Sequence, residues 1–447
     1  MSPAARHAAM LLGLLIALTV IGSSAVTVAV PVVRADLGLD VSAAAWIFAV
    51  FSLCFAVATA VFGRVADLAG LRTPLIVGVV LMATGSAVVG LAPSLPVILA
   101  GRVVQGIGSG AVPVLANGIV AARWDGPERS ALFGTLMAVV SVVSGSGPVI
   151  GGTVEALLGW RWVFALPALG LLLIVPIARL APTARHGGQL DVPGVVATSL
   201  AIAGLVALVQ APTAGAGVGA AGLVLLAVGV PLAVLRVRAR PTGFLPLAVL
   251  RNGQIMRAGL AGMTLLAAYF AMLLEAPELL VATRGWQPLQ VGLVLLPAAI
   301  TGAVAARYAG RVGPRIGHFR TARTAALAAL AGLVVGALAP TSVPGVVLGV
   351  AGTAGGFGAA QAVLVDHVSG ITPPAMLGSA LGVFNLVVFV GGSLGTALVG
   401  GLSGVLGLPL SLAVMALLPV VAIVALRPVG APMEPDLLAG PDASEHG

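Results

Sequence analysis

The sequence predicts an all-α transmembrane protein of fourteen helices, and three observations carry that prediction. Of its 447 residues 59% are hydrophobic and only 8% charged, with a mean hydropathy of +1.15. A soluble domain of this size would have to expose much of that apolar surface to water, so lipid is the solvent. Apolar runs of about 20 residues, the length that spans a hydrocarbon core about 30 Å thick, recur from Met10 almost to Arg427. All 22 basic residues are arginine; with the N-terminus in the cytoplasm, 18 of them fall on the inner side. Arg34, Arg161 and Arg284 fall outside, and Arg102 sits within a helix. Arginine excess in inner loops orients membrane proteins, and only an even number of crossings preserves the asymmetry.

Charged and Pro/Gly-rich punctuation divides the apolar sequence into elements in order. The first, near 10 to 33, follows Arg6 and imitates a secretory signal with Ser23-Ser24-Ala25 as a cleavage site. Its apolar stretch is longer than a signal core and the arginine pattern needs it, so it is read as an uncleaved helix. Helices near 43 to 63, 74 to 92, 96 to 122, 130 to 157 and 162 to 180 complete a first set of six. Two spans near 192 to 210 and 218 to 237 come next. Six more follow near 257 to 281, 289 to 309, 322 to 339, 343 to 366, 378 to 403 and 408 to 426. The expected organisation is a six-helix bundle in 1–185, two inserted helices in 186–240, a second six-helix bundle in 241–430, and a disordered cytoplasmic tail in 431–447 carrying Glu434, Asp436, Asp442 and Glu445. The connector from Arg236 to Arg257 is the expected hinge, with Phe244, Leu245, Leu247, Val249 and Leu250 placed along the headgroup region.

Shifting the second half by about 248 positions onto the first brings Gly134, Gly147, Gly152 and Gly159 onto Gly382, Gly395, Gly400 and Gly407. The loop Gly63-Arg64-Val65 to Gly70 likewise pairs with Gly310-Arg311-Val312 to Gly317. Such register is the mark of parallel internal repeats.

Three motifs lie on these helices in order. The loop Gly63-Arg64-Val65-Ala66-Asp67-Leu68-Ala69-Gly70-Leu71-Arg72 joins two helices; glycine lets helix ends approach, and Asp67 can cap the amides of a neighbouring helix or pair with an arginine. Helix 4 reads Arg102-Val103-Val104-Gln105-Gly106-Ile107-Gly108, and helix 5 reads Gly145-Ser146-Gly147-Pro148-Val149-Ile150-Gly151-Gly152. Small residues allow close helix packing, and Pro148 permits bending. Together they resemble the signature loop, the arginine motif and the antiporter motif of the major facilitator superfamily. Trp160-Arg161-Trp162-Val163-Phe164 and Leu190-Asp191-Val192-Pro193-Gly194 are similar to segments of its fourteen-helix drug/proton antiporter branch. That resemblance implies the major facilitator fold, with Gly63, Asp67, Gly70 and Arg72 as a conformational gate and Gly147, Pro148, Gly151 and Gly152 as the antiporter motif. The chain departs from it twice. Pro314 stands at the counterpart of Asp67, and Gly22 stands where the branch has a helix 1 aspartate.

Ionisable groups in hydrocarbon are costly and each is a functional candidate. Arg102, about 9 Å into helix 4 from Pro96 at 1.5 Å per residue, is either a cation tuning a neighbouring acid or a structural partner of helix-end carbonyls. Glu275 and Glu278 share one face of helix 9, Glu275 the deeper. Glu275 is either a proton carrier or a solvated vestibular group; Glu278, with Glu155 near the outer end of helix 5, belongs to the vestibule. Arg102, Glu275 and Glu155 are the candidates for proton coupling, and Gln105, Gln361, Asn385 and Glu278 for the substrate cavity. Asp366 and His367 end helix 12 with a capping or gating role.

Cys54 is the only cysteine and the five histidines are scattered, so neither disulfides, a metal cluster nor a cofactor is expected. A charge of +8 and a pI of 11.4 reflect inner-loop arginine rather than nucleic-acid binding. The expected function is export of small amphipathic or lipophilic molecules by proton antiport and alternating access, from a monomer in a bacterial inner membrane with both termini cytoplasmic. Its partners are the bilayer, the substrate and protons. The alternatives are a proton-coupled importer or uniporter of the same fold, or a polytopic enzyme or receptor, for which no loop carries the motifs.

Overall fold

The computed structural model describes residues 2–427 other than 40, 183–189, 287 and 407. The expected tail and the 185/186 boundary lie outside them. The described residues are helical, without a strand. A first apolar helix is broken at Ala25 into α1 (Pro3–Ser24) and α2 (Val26–Asp36), and α3 (Val41–Ala69), α4 (Arg72–Gly90) and α5 (Leu95–Arg123) follow. Then come α6 (Gly126–Gly145) and α7 (Gly147–Leu158), bent by 48° at their junction. The next span runs through α8 (Trp160–Ala165), a 3-10 stretch and α9 (Ile174–Leu180). A hairpin of α10 (Val192–Ala214) and α11 (Ala216–Ala239) precedes the short α12 (Leu247–Arg251). The rest is α13 (Gly253–Arg284), α14 (Pro288–Ile316), α15 (His318–Leu338), α16 (Val343–Ile371), α17 (Leu377–Leu406), α18 (Leu408–Met415) and α19 (Leu417–Ala425).

Twelve of these helices are long and apolar enough to cross a membrane, thirteen with the bent pair, while the expected span near 408 to 426 is two short helices. Boundaries follow from local chemistry. The Ser2, Asp191 and Ser342 side chains accept the amides of Ala5, Gly194 and Gly345, capping α1, α10 and α16. Between α3 and α4, and again between α14 and α15, the chain turns at Gly70 (φ +79°) and Gly317 (φ +97°), in the left-handed region glycine favours.

Both ends of the described chain lie at one end of the molecule, here the terminal face. The Ser2 amide donates to Glu128 at 2.9 Å, and the neighbouring Arg129 Nε to Asp366 at 2.7 Å. The neighbour of Asp366, His367, meets Gln254 at 2.9 Å, and close by in sequence Arg257 hydrogen-bonds the carbonyls of Ala425 and Arg427.

Elements from the two halves of the sequence pack as α3 on α17 and as α6 and α7 on α14. Each packing has a glycine crossing. A methyl group at Gly63 would lie 2.8 Å from the Cα of Gly382, and one at Gly134 would lie 3.0 Å from the Cα of Gly310. Gly63 and Gly310 are repeat counterparts, as are Gly134 and Gly382, so the two crossings exchange under the repeat. The α10–α11 hairpin lies against α3 and α17, with Ile202 and Val206 packed among Ala56, Ala60, Phe244 and Leu386. Phe244 is therefore buried in this cluster and Val249 in the main core, rather than both spread along the headgroups. The α3 surface offers the ring an apolar seat, and Arg64 fastens the loop by donating to the Thr242 carbonyl at 2.7 Å.

Candidate functional site

The close approach of α3 to α17 places Asp67 at the N-terminus of α17. Its carboxylate accepts the amides of Gly378 at 2.7 Å and Ser379 at 2.8 Å, and the Ser379 hydroxyl as well. A buried carboxylate on unpaired first-turn amides neutralises the positive end of the helix, and each charge-assisted bond contributes about 1.5–3 kcal/mol. Of the alternatives open to Asp67, the structure has the cap. Gly63 makes it possible by removing the side chain that would separate the helices. Gly70 forms the turn beyond, while Arg72 is exposed at the start of α4.

With Pro314 at the counterpart of Asp67, the second half draws its acid from elsewhere. Asp366, buried near the end of α16, accepts Arg129 Nε at 2.7 Å and the Ser130 hydroxyl, both from the start of α6. His318 Nε2 at the start of α15 meets the same carboxylate at 2.8 Å. The terminal face is thus fastened by two clasps between the halves, Asp67 onto Ser379 and Asp366 onto Ser130. Arg129, Ser130 and His318 were not singled out from the sequence. A legible signal exists for the serines, because Ser130-Ala131-Leu132 and Ser379-Ala380-Leu381 are the same tripeptide at the starts of α6 and α17.

Arg102 is fully buried among elements of the first half. It donates from Nε to the Ile47 carbonyl at 2.9 Å, and from Nη1 to the Gly22 carbonyl at 3.0 Å and Gln105 Oε1 at 2.7 Å. Its guanidinium lies 4.0 Å from the Phe51 ring centroid and 5.5 Å from that of Phe164. Gln105 in turn donates to Ser86 at 2.7 Å and to the Phe164 carbonyl at 3.1 Å. Both polar groups are thereby held inside the first half. Phe51 continues through Phe55, 5.9 Å away, to Phe389 of α17, a further 4.7 Å edge-on.

Glu275 is fully buried and accepts the Ser411 hydroxyl of α18 at 2.7 Å. Tyr269 of the same helix faces Ser144 of α6. Six residues at 100° each place Glu275 about 120° around α13 from Tyr269, turned toward α18 rather than α6. Arg102 and Glu275 thus take partners in opposite halves. Glu155 is half-buried on α7, and the Glu278 side chain lies outside the described residues. The antiporter motif meets the break in helix 1: methyl groups at Gly147 and Gly151 would lie 2.7 Å from Ser24 Cβ and 2.6 Å from the Ala25 carbonyl. Gly152 follows on α7, and Pro148 occupies its first turn. Gln361 of α16 and Asn385 of α17 are brought together, Gln361 Nε2 donating to Asn385 Oδ1 at 3.4 Å.

The family model of the Major Facilitator Superfamily matches residues 12–396. The multidrug resistance protein Stp of Mycobacterium tuberculosis is 29% identical over 65% of this chain and 56% of its own, so the chain spans little more than half of that relative. The puromycin resistance protein pur8 of Streptomyces alboniger is 30% identical over 67% of this chain and 61% of its own. The tetracenomycin C resistance and export protein of Streptomyces glaucescens is 29% identical over 85% and 72%. Among solved structures, the human organic anion transporter MFSD10 aligns with a TM-score of 0.68 at 18% identity, covering 96% of this chain and all of that one. The proton:xylose symporter XylE aligns at 0.65 and 16%, covering 94% of each. At those identities the two structures establish the shared fold alone.

Proposed function

The chain belongs to the major facilitator superfamily, and from that premise we propose that it exports small amphipathic or lipophilic compounds from a bacterial cell by alternating access, in exchange for protons. The double clasp carries this reading. Two buried carboxylates, each bonded to the start of a helix from the other half, close one face through contacts that can be made or broken together, as a two-state carrier requires. We take the terminal face as cytoplasmic, because the arginine-rich loops lie there, and the two halves as the moving bodies with α10 and α11 as an insertion. The resistance and export relatives named above support drug efflux as the direction.

Fourteen crossings complete the proposal. Twelve long helices and the bent pair make thirteen, whereas chain ends on one face need an even number; the apolar pair within Leu410–Ala425 supplies the fourteenth. Glu275, Arg102 and Glu155 are the proposed proton-coupling groups, and Gln361, Asn385 and Glu278 the proposed cavity lining. The Gly22 carbonyl in place of an acid favours a second reading, uniport by the same fold. The test is ethidium accumulation in a host stripped of its own exporters, followed by ethidium and proton flux in proteoliposomes. Lower accumulation with counter-directed proton movement is expected. Ethidium efflux without proton movement selects uniport, and no efflux of any compound in a broad drug panel overturns export.

A further inference from the structure

The pair formed by Gln361 and Asn385 is incomplete. Asn385 is 0% exposed and Gln361 5%, and they share one hydrogen bond, yet Gln361 Oε1 and Asn385 Nδ2 have no hydrogen-bond partner among the described residues. This does not depend on how the amides are oriented. Two carboxamides joined head to tail leave one carbonyl and one NH2 over, and turning both leaves the same set with the roles exchanged. A buried donor or acceptor left unmade costs about 1–3 kcal/mol, and here one of each stands side by side. The free carbonyl lies on the side of α13 at Gly262, where a methyl group would be 3.7 Å from it and 2.6 Å from Val388 Cγ2. The pair sits five residues along α16 from Asp366 and six along α17 from Ser379, so it lies just inside the two clasps.

We propose that Gln361 and Asn385 form a recognition subsite for a substrate that presents a hydrogen-bond donor and acceptor on one edge, namely a primary carboxamide, a lactam or an imide. This rests on the export reading above. When the terminal face opens, an entering compound meets the pair first, and an amide edge satisfies both free groups at once. A compound offering only a cation or only a carbonyl leaves one of them unmade, which is how a polar site discriminates in apolar surroundings.

The test compares the wild type with Gln361→Met/Asn385→Leu, two apolar side chains of similar size. The probes are tetracycline, which carries a primary carboxamide, its analogue with a nitrile in that position, and ethidium, which has no carbonyl. For the wild type we expect a KM for tetracycline at least tenfold below that of the nitrile. In the double variant tetracycline rises tenfold to meet it, so that the two KM values no longer differ, and the Tm in detergent is equal or higher because two unmade groups have gone. The single variant Asn385→Leu strands the Gln361 amide and lowers the Tm. A wild type that exports ethidium yet treats tetracycline and its nitrile alike overturns the subsite and leaves export standing. So does a double variant that loses stability while its KM values stay fixed, since the pair is then a helix-to-helix tie. Absence of export of all three by the wild type counts against the function itself.

Discussion

Arg102 donates to the carbonyl of Gly22 at 3.0 Å, so in this chain a backbone oxygen of helix 1, not an acid, meets the buried cation. Gly22 lies in the last turn of α1, beside the break at Ala25, and the guanidinium takes its carbonyl. Nη2 of Arg102 is left without a hydrogen-bond partner among the described residues. Gly22→Asp offers that atom a carboxylate, with Pro167 the neighbour that must yield, since a methyl group at 22 would already lie 3.2 Å from its ring. We expect the variant to make ethidium efflux more sensitive to a protonophore. Arg102→Ala instead removes the hydrogen bonds to the Ile47 and Gly22 carbonyls and to Gln105 Oε1, and its Tm in detergent should fall by several degrees.

Asp67→Asn keeps one oxygen and loses the charge that holds the start of α17. One to two charge-assisted bonds of about 1.5–3 kcal/mol correspond to tenfold or more in the ratio of closed to open terminal face. Ala66 faces Gly378, so Ala66→Cys in a Cys54→Ser background reports opening. Thiol labelling should be at least tenfold faster in the Asn variant, and equal rates would remove Asp67 from the gate.

The second clasp predicts a contrast between two partners of one carboxylate. Arg129 reaches Asp366 across the halves, whereas His318 reaches it from within the same half. Arg129→Ala should therefore accelerate labelling at the same reporter, while His318→Ala should lower the Tm with little change in labelling. The reverse order would mean that the tie across the halves is not what closes the face.

Glycine crossings should tolerate a methyl group poorly. At Gly134 it would lie 2.8 Å from the Ala306 carbonyl, which is backbone and cannot rotate aside, whereas at Gly392 the nearest atom is a leucine methyl at 3.8 Å. Overpacking of this kind costs about 1–3 kcal/mol. Thermal unfolding should show Gly134→Ala destabilised and Gly392→Ala near wild type.

Asp191, outside the spans, ties the hairpin to the connector by accepting Arg236 at 2.7 Å and the amides of Gly194 and Phe244. Burial pushes its carboxyl up, but the hydrogen bonds from Arg236, Phe244 and Gly194 outweigh burial and hold it below the ordinary aspartate value. A lowered carboxyl stabilises above its unfolded pKa, about 3.9, and that contribution is lost as pH falls through the lowered value. The Tm difference between wild type and Asp191→Asn should be constant from pH 8 to pH 5 and shrink below pH 4. A difference that persists unchanged at pH 3 would assign the effect to packing.

Composition and the length of the apolar runs determined the helical membrane fold, because hydrocarbon leaves a backbone no other way to satisfy its hydrogen bonds along a single span. The order of Gly63 to Arg72, Arg102 to Gly108 and Gly145 to Gly152 identified the resemblance, and the glycine register between halves foretold residues that turn out to cross in pairs. Sequence spacing could say that Asp67 caps something, but not that the amides are those of Gly378 and Ser379, more than 300 positions away. Nor could it say that Asp366 replaces the acid missing at Pro314, that Gln105 is consumed by Arg102 and Ser86, or that Glu275 turns toward Ser411. Those outcomes depend on which side chains share a level and a facing angle once the helices are packed. Periodicity within one helix fixes a face, whereas the partner of that face is set by the packing of all the others.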